Sequence, residues 1–406
     1  MKFPAWLRWG RKADNTTGLL KEFLEQYRSK SGTAVNHMTA LRAVTAYACA
    51  RVIAEGLAQV PIKLYRARPG GGRDVARDHP LHDILAHRPN EWQTSYEWRE
   101  TAGIHLAFAG NEYGWINRIR GQIAEILPYS PANVRTKTED GVLRYWFRTG
   151  ESKWTEIPGD EVLHLRGPSW DGLTGLDGVQ LAREVIGLSL ATEEHGARLF
   201  SNGAQPGGIL YSDSVMIGDE QRKALRESWE STHGGGGGAH KTAILWGGLK
   251  WMSTAQQNDN AQFLETRGFQ VEETCRAFRV LPVMVGHSDK ASTYASAEQM
   301  FLAHVVHTMG PWFARFEQAC DARLLTQRER AAGYYVKFSV SALLRGAHEA
   351  RAAYYSKALG SGGAPAWMTQ DEVRELEELN PMGGSASNLP TPTNPGIAGG
   401  NGNAAP

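Results

Sequence analysis

The residues that could carry chemistry are few, and their spacing argues against most of it. Five glycines, Gly234 to Gly238, run into Ala239, His240, Lys241 and Thr242. This is the pattern nearest to a phosphate loop, in which backbone amides cradle phosphates and a lysine reaches the outer ones. Two features break the match. His240 stands where the motif needs glycine, and the run follows an expected helix and precedes an expected strand, the reverse of strand, loop, helix. A flexible linker accounts for it. His79, His82 and His87 form one histidine set and His304 with His307 another, yet neither has carboxylates or thiolates at a metal-ligand spacing. His195, beside Glu193 and Glu194, falls mid-helix on what reads as a solvated face. No Gly-x-Ser-x-Gly elbow occurs, and no acidic cluster suits two-metal phosphodiester chemistry. The sequence therefore predicts no enzyme, no metal and no cofactor.

Composition bounds the remaining classes. A chain of 406 residues can hold two or three domains. Lys and Arg number 44 against 43 Asp and Glu, so no global signature of tight nucleic-acid binding is present. Cys49, Cys275 and Cys320 are far apart and fall on predicted apolar helix faces, as buried reduced thiols do. The first ten residues contain no apolar run of signal-peptide length, and Arg51 and Glu55 interrupt the most apolar stretch, Ala43 to Pro61. A soluble chain made in the cytosol is expected, for which the sequon at Asn15 has no meaning.

The elements centre on residues 258 to 325. Asp259 with Gln262 gives a capping-box pattern, and Ala261, Leu264, Gly268, Val271, Cys275 and Phe278 form one apolar stripe, with charge on the other faces. Pro282 ends that helix near Leu281. Gly286 to Thr293 reads as a polar loop, after which Ser296 and Gln299 cap a second helix with a kink at Pro311. Earlier in the chain, residues 1 to 37 read as a disordered arm with one basic and aromatic cluster, Trp6, Arg8, Trp9, Arg11 and Lys12. Leu41, Val44, Ala48 and Val52 mark a helix ending before Gly56. A strand follows at 62 to 66, then a short helix after His79-Pro80 and a helix over 95 to 109. Strand pairs 112–118 with 122–128, 134–138 with 142–149, and 153–157 with 162–166 complete an antiparallel region, with Arg120-Gly121 and Asp140-Gly141 as hairpin turns. Asp177 with Gln180 caps a long helix whose inward face is Ala182, Val185, Ile186, Ser189, Ala197 and Phe200 and which stops at Gly203. Between the two long helices lie a strand at 208–211, a helix at 219–232 and a hairpin of 242–246 with 249–252. A strand at 334–340 and helices at 346–359 and 369–379 follow, the last with a capping box of Thr369 and Glu372. The uncharged 381–406 reads as a disordered tail.

Certain strings then resemble the portal proteins of long-tailed bacteriophages and prophages. They are Ala43 to Glu55 leading into Val60-Pro-Ile-Lys-Leu-Tyr65, then His79-Pro-Leu, Arg88-Pro-Asn90, Gly110-Asn-Glu-Tyr113, Val162 to Arg166 and Asp171 to Leu176. Glu194-His-Gly-Ala-Arg198, Asn202 to Gly208, Gln262 to Arg267 and Phe269 to Glu273 continue the series in family order. Val280-Leu-Pro282 and Tyr294 to Gln299 depart from the usual strings.

The resemblance implies an α+β portal-type protomer. Its parts would be an N-terminal arm (1–37), a β wing (38–176 with 296–342), stem helices (177–203 and 258–280), a clip (204–257), a tunnel loop (281–295), crown helices (343–380) and a tail (381–406). By analogy, copies form a ring, dodecameric in the particle, at one capsid vertex. Double-stranded DNA would enter through it, driven by the terminase large subunit, and leave into the tail. Major capsid protein or scaffold and head-completion proteins would be further partners, and no membrane is involved. DNA would be touched transiently by the tunnel-loop residues His287, Ser288, Asp289, Lys290, Ser292 and Thr293. Glu265, Arg267, Glu272 and Arg276 would line the stem. Asp219, Arg222, Arg226, Trp229, Lys241, Trp246 and Lys250 would dock terminase or connector proteins. A near-neutral bore fits sliding, because each neutralised phosphate tightens binding through counterion release. The other reading is a non-viral oligomeric scaffold without catalytic activity.

Overall fold

Alternating apolar residues between glycine-bearing turns build the sheets of this protein, and striped segments closed by side-chain caps build its helices. The computed structural model describes residues 29–69, 71–151, 153–201, 208–212, 218–233, 249–253, 260–287, 294–340, 348–360, 365–377 and 379–390. In chain order the elements are α1 (His37–Ala40), α2 (Val44–Gln59), β1 (Ile62–Ala67), β2 (Arg73–Val75), α3 (Pro80–Ala86), α4 (Ser95–Ala109), β3 (Asn111–Ile119), β4 (Gln122–Tyr129), β5 (Val134–Glu139), β6 (Val142–Arg148), β7 (Trp154–Ile157) and β8 (Val162–Arg166). Next come α5 (Gly178–Leu181), α6 (Arg183–Ser201), β9 (Gly208–Ser212), α7 (Asp219–His233), β10 (Leu249–Ser253), α8 (Asn260–Phe278), α9 (Tyr294–Ala303), α10 (Gly310–Leu324), α11 (Gln327–Ala331), β11 (Tyr334–Phe338), α12 (His348–Ala358) and α13 (Gln370–Leu376). The described residues divide into two units, one of 49–178 with 279–390 and the other of 29–48 with 179–278.

The first unit holds three antiparallel sheets, ordered β11-β1-β2, β4-β3-β8 and β5-β6-β7. Arg120-Gly121 and Asp140-Gly141 close two hairpins with positive φ at both turn residues, the geometry that two-residue hairpins favour. The strands at 153–157 and 162–166 do not pair with each other as expected. β7 pairs with β6 and β8 crosses to β3, because the single turn at Gly159–Glu161 redirects the chain between sheets. The main core gathers Trp98, Phe313, Phe316 and Phe338 with Leu57, Leu64 and Leu85, and Trp98 meets Phe316 edge to face at 5.3 Å. A smaller core holds Tyr113, Tyr145, Phe147 and Val162.

Helix α2 runs through Gly56 rather than ending before it. Its buried residues include Ala46, Cys49, Ala50, Ile53, Ala54 and Leu57, one step round from the expected stripe, whose Val44 is exposed. Small residues explain the choice of face. A Cβ at Gly56 would lie 2.7 Å from Met309 Cε, and one at Gly103 would lie 2.5 Å from Ala54 Cα, so close approach selects the alanine and glycine side. Arg99, buried, donates to the carbonyls of Leu57 and Ala58 at 3.3 and 2.6 Å, satisfying the end of α2. Burial lowers its pKa to about 10.

Helix α9 starts at Tyr294, so Ser296 lies within it and is not a cap. The expected break near Pro311 takes the form of a π turn over His304–Met309 that leads into α10. Proline lacks the amide an α-turn needs and its ring crowds the carbonyl four residues back, which favours a widened turn before it. The predicted long helix from Asp177 is broken at Ala182 into α5 and α6, and Ala197 on its expected inward face is exposed. Cysteines 49, 275 and 320 are buried and in no disulfide, as predicted.

Two expected disordered segments are partly ordered. At the N-terminal end, Ser29 and Val35 are buried, the Lys30 amide donates to Glu184 Oε2 at 2.9 Å, and Asn36 with Thr39 forms a capping box on α1. At the other end, Asp371 accepts hydrogen bonds from the amides of Met382 (2.7 Å) and Gly383 (3.0 Å) and from Ser387 Oγ (2.5 Å). Asn380 Oδ1 accepts from the Arg73 amide at 2.7 Å. Thr369 and Glu372 form the predicted capping box. Trp6 to Lys12, Asp259, the strand at 242–246 and residues 391–406 lie outside the described residues.

Candidate functional site

The candidate surfaces begin with the two long helices of the second unit. In α8, Gln270, Thr274 and Cys275 are buried, and Gln270 Nε2 donates to Thr192 Oγ1 of α6 at 3.2 Å. Thr192 and Thr274 each return their hydroxyl hydrogen to a carbonyl one turn back, Leu188 and Gln270. A polar seam thus joins the helices where Leu would otherwise be expected. Of the predicted stem residues, Glu265, Arg267 and Arg276 are exposed and Glu272 half-buried. Arg276 pairs with Glu272 at 3.7 Å and with Glu273, and Arg198 pairs with Glu194, each within its own helix. Ion pairs this near the surface contribute little to stability.

The chain leaves α8 through Arg279, whose φ is +56°, and a single turn at Pro282–Val285 closed by left-handed Gly286. This turn occupies the start of the predicted loop 281–295. His287 is half-buried, and Ser288, Asp289, Lys290, Ser292 and Thr293 lie outside the described residues. Thr308 Oγ1, in the π turn, donates to the Arg279 carbonyl at 2.8 Å and ties the two ends of the excursion together. His304 in the same turn is buried, which lowers its pKa.

Among the predicted docking residues, Asp219 and Arg222 stand one turn apart at the start of α7, 3.4 Å from each other, and both are exposed. Arg226 is exposed on the same helix and Lys250 on β10, which pairs antiparallel with β9. Trp229 lies on α7 with its side chain outside the description, and Lys241 and Trp246 lie outside the described residues. The structure brings Asp219, Arg222 and Arg226 onto one helix.

A polar hub in the first unit had no counterpart among the predicted sites. Asn111 Oδ1 accepts from the Gly175 amide at 2.7 Å and from His164 Nε2 at 3.0 Å, and its Nδ2 donates to the carbonyls of Gly175 and Ala109. With Nε2 donating, His164 Nδ1 must accept, and the Tyr145 hydroxyl donates to it at 3.2 Å. Tyr113 stacks on the same ring at 4.4 Å. Burial depresses the His164 pKa to about 3, so the ring is neutral. Glu112 is fully buried, hydrogen-bonded to His105 Nδ1, and its pKa is raised by desolvation. The alternation of β3 was the available signal, since it puts a glutamate where a core residue belongs. Gly110 (φ +67°), Gly167 and Gly175 meet at this hub, and a Cβ on Gly110 would overlap the Leu176 carbonyl.

From the hub projects a loop over 168–176. Asp171 Oδ1 accepts from the amides of Leu173 (2.8 Å) and Thr174 (3.0 Å), Ser169 Oγ accepts from the Gly172 amide (2.9 Å), and Arg166 holds the Gly172 carbonyl (2.8 Å). Trp170 at its tip is exposed. Among the described residues no group of three or more His, Cys, Asp or Glu could hold a metal, and no helix is long and apolar enough to cross a membrane.

The family model for the phage portal protein matches residues 44–378. The portal protein of Enterobacteria phage HK97 is 26% identical over 386 residues, covering 94% of this chain and 89% of that one. The fold is similar to a chain in the neck of a native gene transfer agent particle computed with C12 symmetry (TM-score 0.57, 20% identity, 85% of this chain and 94% of that chain). It is also similar to the crystal structure of an HK97 family phage portal protein from Corynebacterium diphtheriae (TM-score 0.57, 14% identity, 75% and 95%).

Proposed function

The chain belongs to the phage portal protein family, and from that premise we propose that its copies form a ring at one capsid vertex through which double-stranded DNA is packaged and later ejected. The likeness to a neck chain in a particle computed with twelvefold symmetry supports the ring and its place in a particle. The observation that carries the channel role is the pairing of α6 with α8. Each is 19 residues long, about 28 Å at 1.5 Å per residue, and each holds a basic side chain in an ion pair within its own length, Arg198 with Glu194 and Arg276 with Glu273. A bore of such helices presents few free cations to DNA phosphates, which suits a polymer that must slide rather than stay. In this reading 177–203 and 258–280 are the stem, 281–295 the tunnel loop, 204–257 the clip that meets the terminase large subunit and head-completion proteins, and 38–176 with 296–342 the wing. Residues 343–380 are the crown. Asp219, Arg222, Arg226 and Lys250 are the described clip residues offered to partners, and no catalytic step is assigned to the chain.

Negative-stain electron microscopy with native mass spectrometry tests this. Rings with a central channel and a subunit count near twelve are expected. A chain that stays monomeric, alone and with capsid or scaffold protein, overturns the reading and leaves a non-viral scaffold in its place.

A further inference from the structure

Two apolar features stand exposed among the described residues. The first is a stripe along α1 and the start of α2, made of Met38, Leu41, Val44 and Tyr47 at three-residue intervals. Met38 is 74% and Val44 72% exposed, while Ala40, Ala43 and Ala46, on the other side of the same run, are buried. The stripe crosses the turn at 41–43 that joins the two helices. Arg42 beside it is exposed and makes no ion pair among the described residues. The second feature is Trp170, 71% exposed at the tip of the loop over 168–176. That loop is pinned by Asp171, Ser169 and Arg166 and rooted in a hub with no room for a side chain at Gly110 or Gly175. So much local order is spent on holding a tryptophan in water that the indole reads as an anchor awaiting a pocket.

Resting on the ring reading above, we infer that the two features meet between neighbouring copies: Trp170 of one copy lies along the Met38, Leu41, Val44 and Tyr47 stripe of the next, with Asp171 facing Arg42. A cyclic ring uses a head-to-tail contact, so each copy must present two different and complementary surfaces. The stripe and the tryptophan are different, both apolar, and flanked by opposite charge. Tryptophan is the residue type most enriched among interface anchors, and a preorganised loop loses little freedom on docking. DNA does not suit the stripe, which offers one cation among four apolar side chains.

The test uses full-length Val44→Glu and Trp170→Glu, with wild type as reference and melting curves to confirm folding. Each variant alone is expected to remain monomeric, its assembly midpoint raised about thirtyfold or more, as loss of an interface anchor brings. Mixed, they are expected to give heterodimers by native mass spectrometry and no rings. The intact Trp170 of Val44→Glu meets the intact stripe of Trp170→Glu, and the remaining two surfaces are dead. Wild-type rings together with rings of either variant overturn the inference and leave the portal reading standing, as would be seen if the stripe served a capsid or terminase protein. Monomers that give no heterodimer on mixing overturn the pairing of the two surfaces. Failure of the wild type to form rings removes the portal reading, and with it the premise.

Discussion

The hub around His164 and the seam between α6 and α8 are both polar, yet they are built on opposite terms. In the hub, Asn111, His164, Tyr145 and the facing glycines are buried and bound to one another at fixed distances, so no member can change without stranding a partner. Along α6 and α8 most polar groups are exposed, and the ion pairs lie one turn apart within a helix. The hub specifies a frame. The helices present a surface whose charges can be altered while the frame persists.

Three measurements would break or sharpen this contrast. The largest effect is expected for Gly110→Ala, which adds a Cβ where the Leu176 carbonyl sits, at a φ of +67°. Denaturant unfolding should show a loss of about 4 kcal/mol or more, in the range reserved for overpacking combined with backbone strain. Next comes the pH response of His164. Its folded pKa of about 3 lies below the ordinary 6.5, so the stability it contributes is present above pH 6.5 and is lost as pH falls toward 3. Linkage gives at most about 1.4 kcal/mol per pH unit across that window. His164→Gln should flatten the acid limb of stability against pH, and an unchanged limb would assign acid unfolding to other groups. The smallest effect belongs to Arg276→Ala, expected to alter stability by less than about 0.5 kcal/mol because Arg276 itself is exposed and its half-buried partners lie within the same helix. A loss above 1 kcal/mol there would erase the distinction between frame and surface.

Much of the fold was legible because its signals are local. Hairpins at Arg120-Gly121 and Asp140-Gly141, the helix over 95–109 and the capping box at Thr369 depend on residues within a few positions of one another. What escaped depends on tertiary partners. The inward face of α2 is set by how closely Ala54 and Gly103 approach, and apolarity alone pointed to Val44. The pairing of β7 and β8 with different sheets turns on one short excursion at Gly159–Glu161. The segment after Pro381 has no charge and no apolar pattern, yet a single carboxylate, Asp371, gathers its amides. The candidate surfaces divide likewise. Exposed helix charges such as Glu265, Arg267 and Arg222 could be read from period, whereas the hub required knowing that Asn111, His164 and Gly175, distant in sequence, converge.

The π turn at His304–Met309 has a mechanical meaning. It contains more residues per turn than the α-helical segments it joins, so the rod from Tyr294 to Leu324 carries spare backbone at one point. Letting that surplus pass toward α9 would screw α9 by about 100° and shift it about 1.5 Å along its axis, the twist and rise of one residue. Pro311 stands at the start of α10, and the widened turn lies on its N-terminal flank. The surplus residue lies between α9 and α10, and a shift of it by one position would rotate one helix against the other.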